Sequence, residues 1–188
     1  MRPGQGKNKG SSFERAVGAK LSLWLSSGKR KDLLCRTVGS GAQFTFSKAS
    51  LGNPGDLMAQ DPIAYEFISK IVIECKHWRS LDLIKFLNKK GDLYKAMLKV
   101  EKEAKSAGKE SWWLIAKQNN QPTLLLMPDD GQELGMTEIV YHKLFNDSVL
   151  LYQFEHYLET HPITNLSESE KEGWENADPP PPAPISGT

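Results

Sequence analysis

The apolar positions near the start of the chain repeat with the period of an α-helix. The residues that share one side of this period are Phe13, Val17, Leu21 and Trp24. Ser11 and Glu14 have the spacing of a capping box, in which a serine and a glutamate satisfy backbone N–H groups at a helix start. Gly28 is typical of the position just beyond a helix end. The pattern therefore predicts a first helix over residues 11–27.

Short apolar runs predict strands along the middle of the chain. These runs lie at residues 33–38, 56–59, 63–67, 70–76, 112–116 and 123–127. Helical spacing of apolar residues returns around 81–87, over 92–107, and in two segments at 137–145 and 148–158. This order of elements predicts the α/β class, with a mixed central β-sheet that is flanked by helices.

The two ends of the chain differ from its middle in composition. Residues 1–10 are rich in Gly and Lys, which is typical of a flexible basic arm. From residue 161 the apolar content falls and the chain closes on PPPPAP, which predicts an acidic, Pro-rich, disordered tail over 161–188. The predicted organisation is therefore an arm, a core over 11–127, a C-terminal helical extension over 128–160, and the tail.

Charge is divided unevenly along the chain. Residues 1–127 contain 22 Lys and Arg against 11 Asp and Glu, whereas residues 128–188 contain 2 against 12, so the two parts carry net charges of +11 and −10. Clustered basic side chains favour a polyanion such as DNA, because they release counterions from its phosphates. The acidic end is either a solubilising segment or a competitor for the same basic surface.

Several classes of protein are disfavoured because their sequence signals are missing. Two cysteines, Cys35 and Cys75, suggest no disulfide framework and cannot assemble a zinc site of the CxxC type. The chain has no GxxxxGK[ST] or GxGxxG motif, which argues against an ATP-driven or nicotinamide enzyme. No apolar signal-peptide core is present at the N-terminus, and no run approaches the ~20 apolar residues of a membrane span. We therefore expect a soluble, cytoplasmic protein.

A carboxylate and an ammonium group interrupt the apolar strand predicted at 70–76. Side chains alternate between the faces of a strand, so Glu74 and Lys76 point to the same face, about 6.5–7 Å apart. Asp56 lies on the preceding strand or its turn, and we expect it to come alongside Glu74. Two carboxylates and a lysine suit metal-assisted hydrolysis of a phosphodiester, since hard oxygen ligands hold Mg²⁺. From these residues alone, a surface salt bridge and an ordinary turn aspartate stay an open alternative.

Four segments, in order along the chain, resemble one known superfamily. They are SSFERAVGAKL at 11–21, CRTVGSG at 35–41, GD at 55–56 and IVIECK at 71–76. Through them the chain resembles the PD-(D/E)XK nucleases, and within these the archaeal-type Holliday junction resolvases that are also found in some phages. The resemblance covers about residues 10–127 and implies a restriction-endonuclease-like core. It departs from the pattern at Gly55, which stands where the superfamily name has proline, although Pro54 precedes it.

The resemblance assigns roles to the residues of the predicted cluster. Asp56 and Glu74 match the metal ligands of the superfamily. Lys76 matches its lysine, which positions the attacking water, and Glu14 matches a glutamate of the first helix that assists catalysis. The implied cofactor is Mg²⁺, with Mn²⁺ expected to substitute for it.

The same resemblance extends to DNA binding and assembly. Arg15, Arg36 and Ser40 match residues of those resolvases, and we expect them to contact DNA. The implied partner is a four-way junction or another branched duplex. A homodimer is expected, because symmetric cleavage of a junction needs two active sites at a fixed separation.

Three further lysines recur on the polar side of the helix predicted over 92–107. They are Lys95, Lys99 and Lys102. We interpret them as a solvated helix surface rather than as direct DNA contacts.

Two alternatives to junction cleavage stay open at this point. The same chemistry could act on linear, nicked or flapped DNA, as in restriction or repair enzymes. The fold could instead bind nucleic acid without catalysis, although the presence of Asp56, Glu74 and Lys76 argues against that.

Overall fold

The computed structural model describes residues 5–37, 54–129, 142–144 and 149–162. The helices are α1 (Gln5–Leu25), α2 (Tyr65–Lys70), α3 (Leu83–Leu87), α4 (Gly91–Ser106) and α5 (Phe154–Thr160). The strands are β1 (Leu34–Arg36), β2 (Leu57–Ala59), β3 (Ile71–Trp78), β4 (Ser111–Gln118), β5 (Thr123–Pro128), β6 (His142–Leu144) and β7 (Val149–Gln153). In this part of the chain, no helix is long and apolar enough to span a membrane.

Five of these strands form one mixed sheet in the order β3-β4-β5-β7-β6. β3 and β4 are parallel and are connected through α4, whereas the other neighbours pair antiparallel. β1 and β2 form a separate antiparallel ribbon, which reaches the free edge of β3 through a parallel bridge between Gly55 and Ile73. The predicted α/β class, with a mixed sheet flanked by helices, is confirmed.

β3 is buried on both faces. Ile71, Ile73 and Cys75 belong to a core that also contains the apolar side of α1 and Phe154 of α5. Val72, on the opposite face, packs in a second core built mainly from α4 and β4. The sequence of a strand that is covered on both sides is a nearly continuous run of apolar residues. Any charged side chain in β3 must therefore lie near the end of these cores or be paired.

α1 begins earlier than its sequence pattern predicts. The helix starts at Gln5, so residues 5–10 are helical rather than a flexible arm. Ser11 lies inside the helix, and the predicted capping box with Glu14 is therefore wrong. The physical reason is that extending an existing helix by a turn adds one hydrogen bond per residue without a new nucleation cost.

The strand predicted at 63–67 is also wrong. Those residues form a 3₁₀ turn, Pro62–Ala64, followed by the start of α2. Asp61 caps the turn by accepting a hydrogen bond of 3.0 Å from the backbone N–H of Ile63. Proline at the first helical position and an aspartate cap favour a helix start, and they override the β propensity of the isoleucine and phenylalanine.

The predicted helical extension over 128–160 contains two strands of the sheet. Residues 142–144 and 149–153 are β6 and β7, so helix is wrong there, and only α5 matches the predicted segment at 148–158. β7 gains backbone partners on both sides, from β5 and from β6, which outweighs its helical apolar spacing. The rest of the helix predicted at 137–145, and the tail from residue 163, lie outside the described residues.

α5 is attached to α1 rather than separate from the core. Lys20 Nζ is 2.6 Å from Glu155 Oε1, and the indole N–H of Trp24 donates to the carbonyl of His161 at 2.7 Å. The ring of Tyr157 also packs 6.4 Å from that of Trp24. These contacts fix the helix that carries Glu14 against the sheet.

Candidate active site

Gly55 allows the β1–β2 ribbon to approach β3. Its φ is +110°, and a Cβ atom there would lie 2.6 Å from the carbonyl oxygen of Ile73. Without a side chain, the backbone comes close enough for the Asp56 N–H to donate to Ile73 O at 2.7 Å. The glycine that departs from the superfamily pattern thereby places Asp56 beside the middle of β3.

The carboxylate of Asp56 is buried against the edge of β3. Its Oδ2 accepts a hydrogen bond of 2.8 Å from the backbone N–H of Cys75. Burial, reinforced by the negative charge of Glu74, raises the pKa of Asp56 to about 6, although the Cys75 N–H and the Lys76 ammonium act in the opposite direction. At neutral pH Asp56 is therefore a carboxylate whose charge the protein compensates only in part.

Glu74 and Lys76 project from the same face of β3, as strand alternation predicts. Lys76 Nζ lies 2.5 Å from Glu74 Oε1 and 3.9 Å from Asp56 Oδ2, so one ammonium bridges two carboxylates. The Glu74 side chain is 4% exposed, whereas that of Lys76 is 34% exposed. The structure thus brings together the three residues on which the predicted chemistry depends, with the lysine on the solvent side.

Glu14 reaches the same region from α1. Its Oε2 accepts a hydrogen bond from Nε of Arg36 on β1. The Glu14 carboxylate is mostly buried, and its charge is among the causes that raise the pKa of Asp56. Glu14 is therefore a neighbour of the cluster, held by Arg36 rather than by a helix cap. Its part in catalysis stays a prediction, as does the contact of Arg36 with DNA.

Lys99 on α4 is a member of the site that the sequence interpretation missed. Its Nζ donates to Glu74 Oε1 at 3.1 Å and lies 3.4 Å from Glu103. Partial burial opposes its charge, but Glu74 and Glu103 more than offset this and raise the pKa of Lys99, so the side chain is an ammonium. Lys99 is 56% exposed, as expected for a solvated helix surface, but its ammonium also pairs with the buried Glu74, which the sequence interpretation did not include. The available signal was the crossover from β3 to β4, which places α4 over the face of β3 that carries Glu74.

The other predicted DNA contacts are less constrained by the structure. Arg15 is exposed on α1, and Ser40 lies outside the described residues. The contact of Arg15 and Ser40 with DNA stays a prediction. Lys95 and Lys102 are exposed on α4, as expected for a solvated helix surface.

The site provides two buried carboxylates that could ligate a metal ion. Within the described ranges, no group of three or more His, Cys, Asp or Glu side chains is arranged to hold a metal. Mg²⁺ is commonly bound by one or two carboxylates, with waters and substrate phosphates completing its shell. Asp56 and Glu74 fit this requirement, because both offer carboxylate oxygens at one place, and burial together with the neighbouring charge of Glu74 raises the pKa of Asp56, which a cation there would offset.

Comparison with protein families gives a match over most of the chain. The model of a family described as "Phage putative PDDEXK endonuclease" matches residues 5–170. No curated protein and no solved structure matches the chain. The match extends beyond residue 127 and includes β6, β7 and α5, in agreement with their place in the sheet and its core.

Proposed function

The chain belongs to the phage PDDEXK endonuclease family, and from this premise we propose that it is a Mg²⁺-dependent, structure-specific endonuclease that hydrolyses phosphodiester bonds in branched DNA. The convergence of Asp56, Glu74 and Lys76 at the edge of β3 carries the chemical part of the proposal. The substrate part is supported by the segments around Glu14 and Arg36 that resemble Holliday junction resolvases.

Asp56 and Glu74 would hold the metal ion between β3 and the ribbon. When bound there, Mg²⁺ would supply positive charge for the phosphate and lower the pKa of a coordinated water. The protein contributes a rigid frame, since Asp56 is fixed by the N–H of Cys75 and the carbonyl of Ile73 on β3, and Glu74 is part of the strand itself. Removing either carboxylate would leave too few ligands.

Lys76 would orient the attacking water and stabilise negative charge on the phosphate. Its ammonium lies beside both carboxylates and is the more exposed partner of the cluster. A charged donor held at the side of a reacting group stabilises the charge that develops during attack on phosphorus. In-line attack by water would leave a 5′-phosphate and a 3′-hydroxyl, the products that the resemblance implies.

A homodimer would carry out symmetric cleavage of a junction. Two identical sites related by a twofold axis match the symmetry of a four-way junction. Light scattering of the free protein, followed by a titration with junction DNA, would measure whether two chains act together.

Cleavage of matched DNA substrates tests the proposal. A four-way junction, a flap and a linear duplex of the same sequence are incubated with Mg²⁺ or Mn²⁺ and either the wild-type protein or the Asp56→Ala variant. We expect paired symmetric nicks on the junction with the wild type, and at least a 100-fold slower reaction with the variant, because a metal ligand is lost.

Two other results would argue for a different function. Equal cleavage of all three substrates would reject branch specificity and favour a nuclease for linear, nicked or flapped DNA. Binding of DNA without cleavage by the wild type in either metal would reject the catalytic proposal and favour a nucleic-acid-binding protein.

A further inference from the structure

Two ammonium groups hold the same carboxylate oxygen in the site. Glu74 Oε1 is 2.5 Å from Lys76 Nζ and 3.1 Å from Lys99 Nζ. A divalent cation at Glu74 would add two further positive charges within a few ångströms of both lysines, and repulsion between charges at such distances is large in a partly buried site. At least one of these ion pairs must therefore lengthen when a metal ion binds.

Lys99 is the partner that can leave Glu74. Its side chain is 56% exposed, against 34% for Lys76, and it extends from a helix rather than from the strand that carries Glu74. Glu103, one helical turn further along α4, already lies 3.4 Å from Lys99 Nζ. The ammonium therefore stays charge-paired when it moves away from Glu74.

An open groove adjoins Lys99 on the side of the ribbon. It has a volume of about 460 Å³ and is lined by Pro54, Lys99, Lys102, Glu103, Ser106 and Ala107. Pro54 is two residues before Asp56, so the groove begins beside the metal-binding carboxylates. Two lysines on one wall make it suited to a phosphate group of a DNA strand that passes through the site.

We propose that Lys99 exchanges partners during the reaction, holding Glu74 in the metal-free protein and binding, together with Lys102, a backbone phosphate next to the scissile one when metal occupies Glu74. This inference rests on the proposed nuclease function and assigns its metal site a second, competing cation. The exchange makes metal binding and DNA binding mutually favourable, because a bound metal ion releases Lys99 from Glu74 and leaves it available to bind a DNA phosphate.

The Lys99→Met variant tests the exchange, since methionine keeps an aliphatic stem without the charge. Lys105→Met is the matched control, because Lys105 is a lysine of the same helix that pairs with Glu101 at 2.6 Å. Calorimetric titration of the DNA-free proteins with Mn²⁺ should show binding about three- to tenfold tighter for Lys99→Met than for wild type, and unchanged for Lys105→Met.

DNA affinity measured with and without metal supplies the second half of the test. In EDTA the two variants should lose affinity for junction DNA to the same small extent, because each has lost one positive charge. Ca²⁺ serves as a probe for the metal-bound state. In Ca²⁺ the affinity of Lys99→Met for junction DNA should fall about three- to tenfold more than that of Lys105→Met. Lys99→Arg, which keeps the charge, should retain most of the affinity in Ca²⁺.

The possible failures are distinguishable. If Lys99→Met matches Lys105→Met in Mn²⁺ affinity and in both DNA measurements, the exchange is refuted, while cleavage by wild type and its loss in Asp56→Ala would still support the nuclease. If wild type neither binds Mn²⁺ nor cleaves DNA, both proposals are refuted. Urea unfolding in EDTA checks that the variants are folded.

Discussion

Asp56 is placed where its charge is costly to the folded protein. Its carboxylate is buried beside Glu74, and the single lysine that bridges them does not restore an ordinary pKa. Such an arrangement is typical of a functional site, where charges needed for a ligand or a reaction are held close together before it arrives. A metal ion would relieve this cost.

Replacing Asp56 with asparagine should stabilise the metal-free protein at neutral pH. The pKa of Asp56 is about 6 in the folded protein against an ordinary value of 3.8. Between these two pH values the folded state binds more protons than the unfolded state, so the free energy of unfolding falls as pH rises, by about 3 kcal/mol at pH 7. Asparagine removes this penalty and can still accept the Cys75 N–H.

We therefore expect Asp56→Asn to be about 1–3 kcal/mol more stable than wild type at pH 7, and the difference to vanish below pH 4. Urea unfolding in EDTA at pH 7, 5.5 and 4 measures it. A variant that is less stable than wild type at pH 7 would contradict the prediction. Excess Mg²⁺ should reverse the order, because only the wild type keeps both carboxylate ligands.

At the scale of elements, the site lies where the β1–β2 ribbon approaches the edge of β3 without joining its sheet. β1 and β2 pair with each other, and the residues just before β2 meet the edge of β3 through the bridge at Gly55 and the hydrogen bonds of Asp56. At this edge the backbone N–H of Cys75 therefore donates to the Asp56 carboxylate instead of to a neighbouring strand. The position of Asp56 relative to Glu74 depends on this close approach.

Gly55→Ala should destabilise the protein more than a glycine substitution without a close contact. Gly28→Ala is the control, because Gly28 also has positive φ, +88°, and a Cβ atom there would meet nothing within 4 Å. Both variants bear the cost of positive φ, about 1 kcal/mol, but only Gly55→Ala forces a methyl group 2.6 Å from Ile73 O. We expect a total loss of about 2–4 kcal/mol for Gly55→Ala.

Urea unfolding and Mn²⁺ titration of both glycine variants measure this effect. Gly55→Ala should also bind Mn²⁺ at least tenfold more weakly, because the shift moves Asp56 away from Glu74, whereas Gly28→Ala should bind it normally. Equal losses of stability in the two variants would show that the contact with Ile73 is unimportant.

At the scale of the whole molecule, the net charge of the chain changes sign before the folded core ends. Residues 1–127 carry the net positive charge, yet β7 and α5 from the acidic part complete the sheet and its core. The acidic segment that can be removed without loss of described structure therefore begins after Pro162, since the carbonyl of His161 accepts a hydrogen bond from Trp24.

Removing residues 163–188 should tighten non-specific DNA binding. The segment contains five Asp and Glu against one Lys, and it would compete with phosphates for the basic surface. We expect about a three- to tenfold gain in affinity for a linear duplex at low salt, which disappears at high salt. Fluorescence anisotropy across a salt titration measures it.

A chain of full length, with the five acidic residues of this segment replaced by Asn or Gln, is the control for length. It should bind DNA like the truncated protein, because the effect is electrostatic. If only the truncated protein gains affinity, the segment acts by its bulk, and if neither variant changes, it serves solubility alone.

The sequence alone determined the mixed α/β arrangement and the main catalytic candidates. Glu74 and Lys76 share a face because strand alternation is a local property, and the glycine before Asp56 signals a turn. Local patterns failed where partners lie far along the chain. β7 forms because β5 and β6 flank it, and residues 5–10 are helical because they extend α1.

Only the tertiary structure decided which charges meet. Arg36 binds Glu14 across 22 positions, and Lys99 reaches Glu74 across 25, through a ribbon and a crossover helix whose placement no local pattern encodes. The residue types needed for the chemistry can thus be read from the sequence, because each is fixed by its own strand or turn. Their pairing depends on how those elements pack, since contact energies between distant residues arise only after the chain has folded.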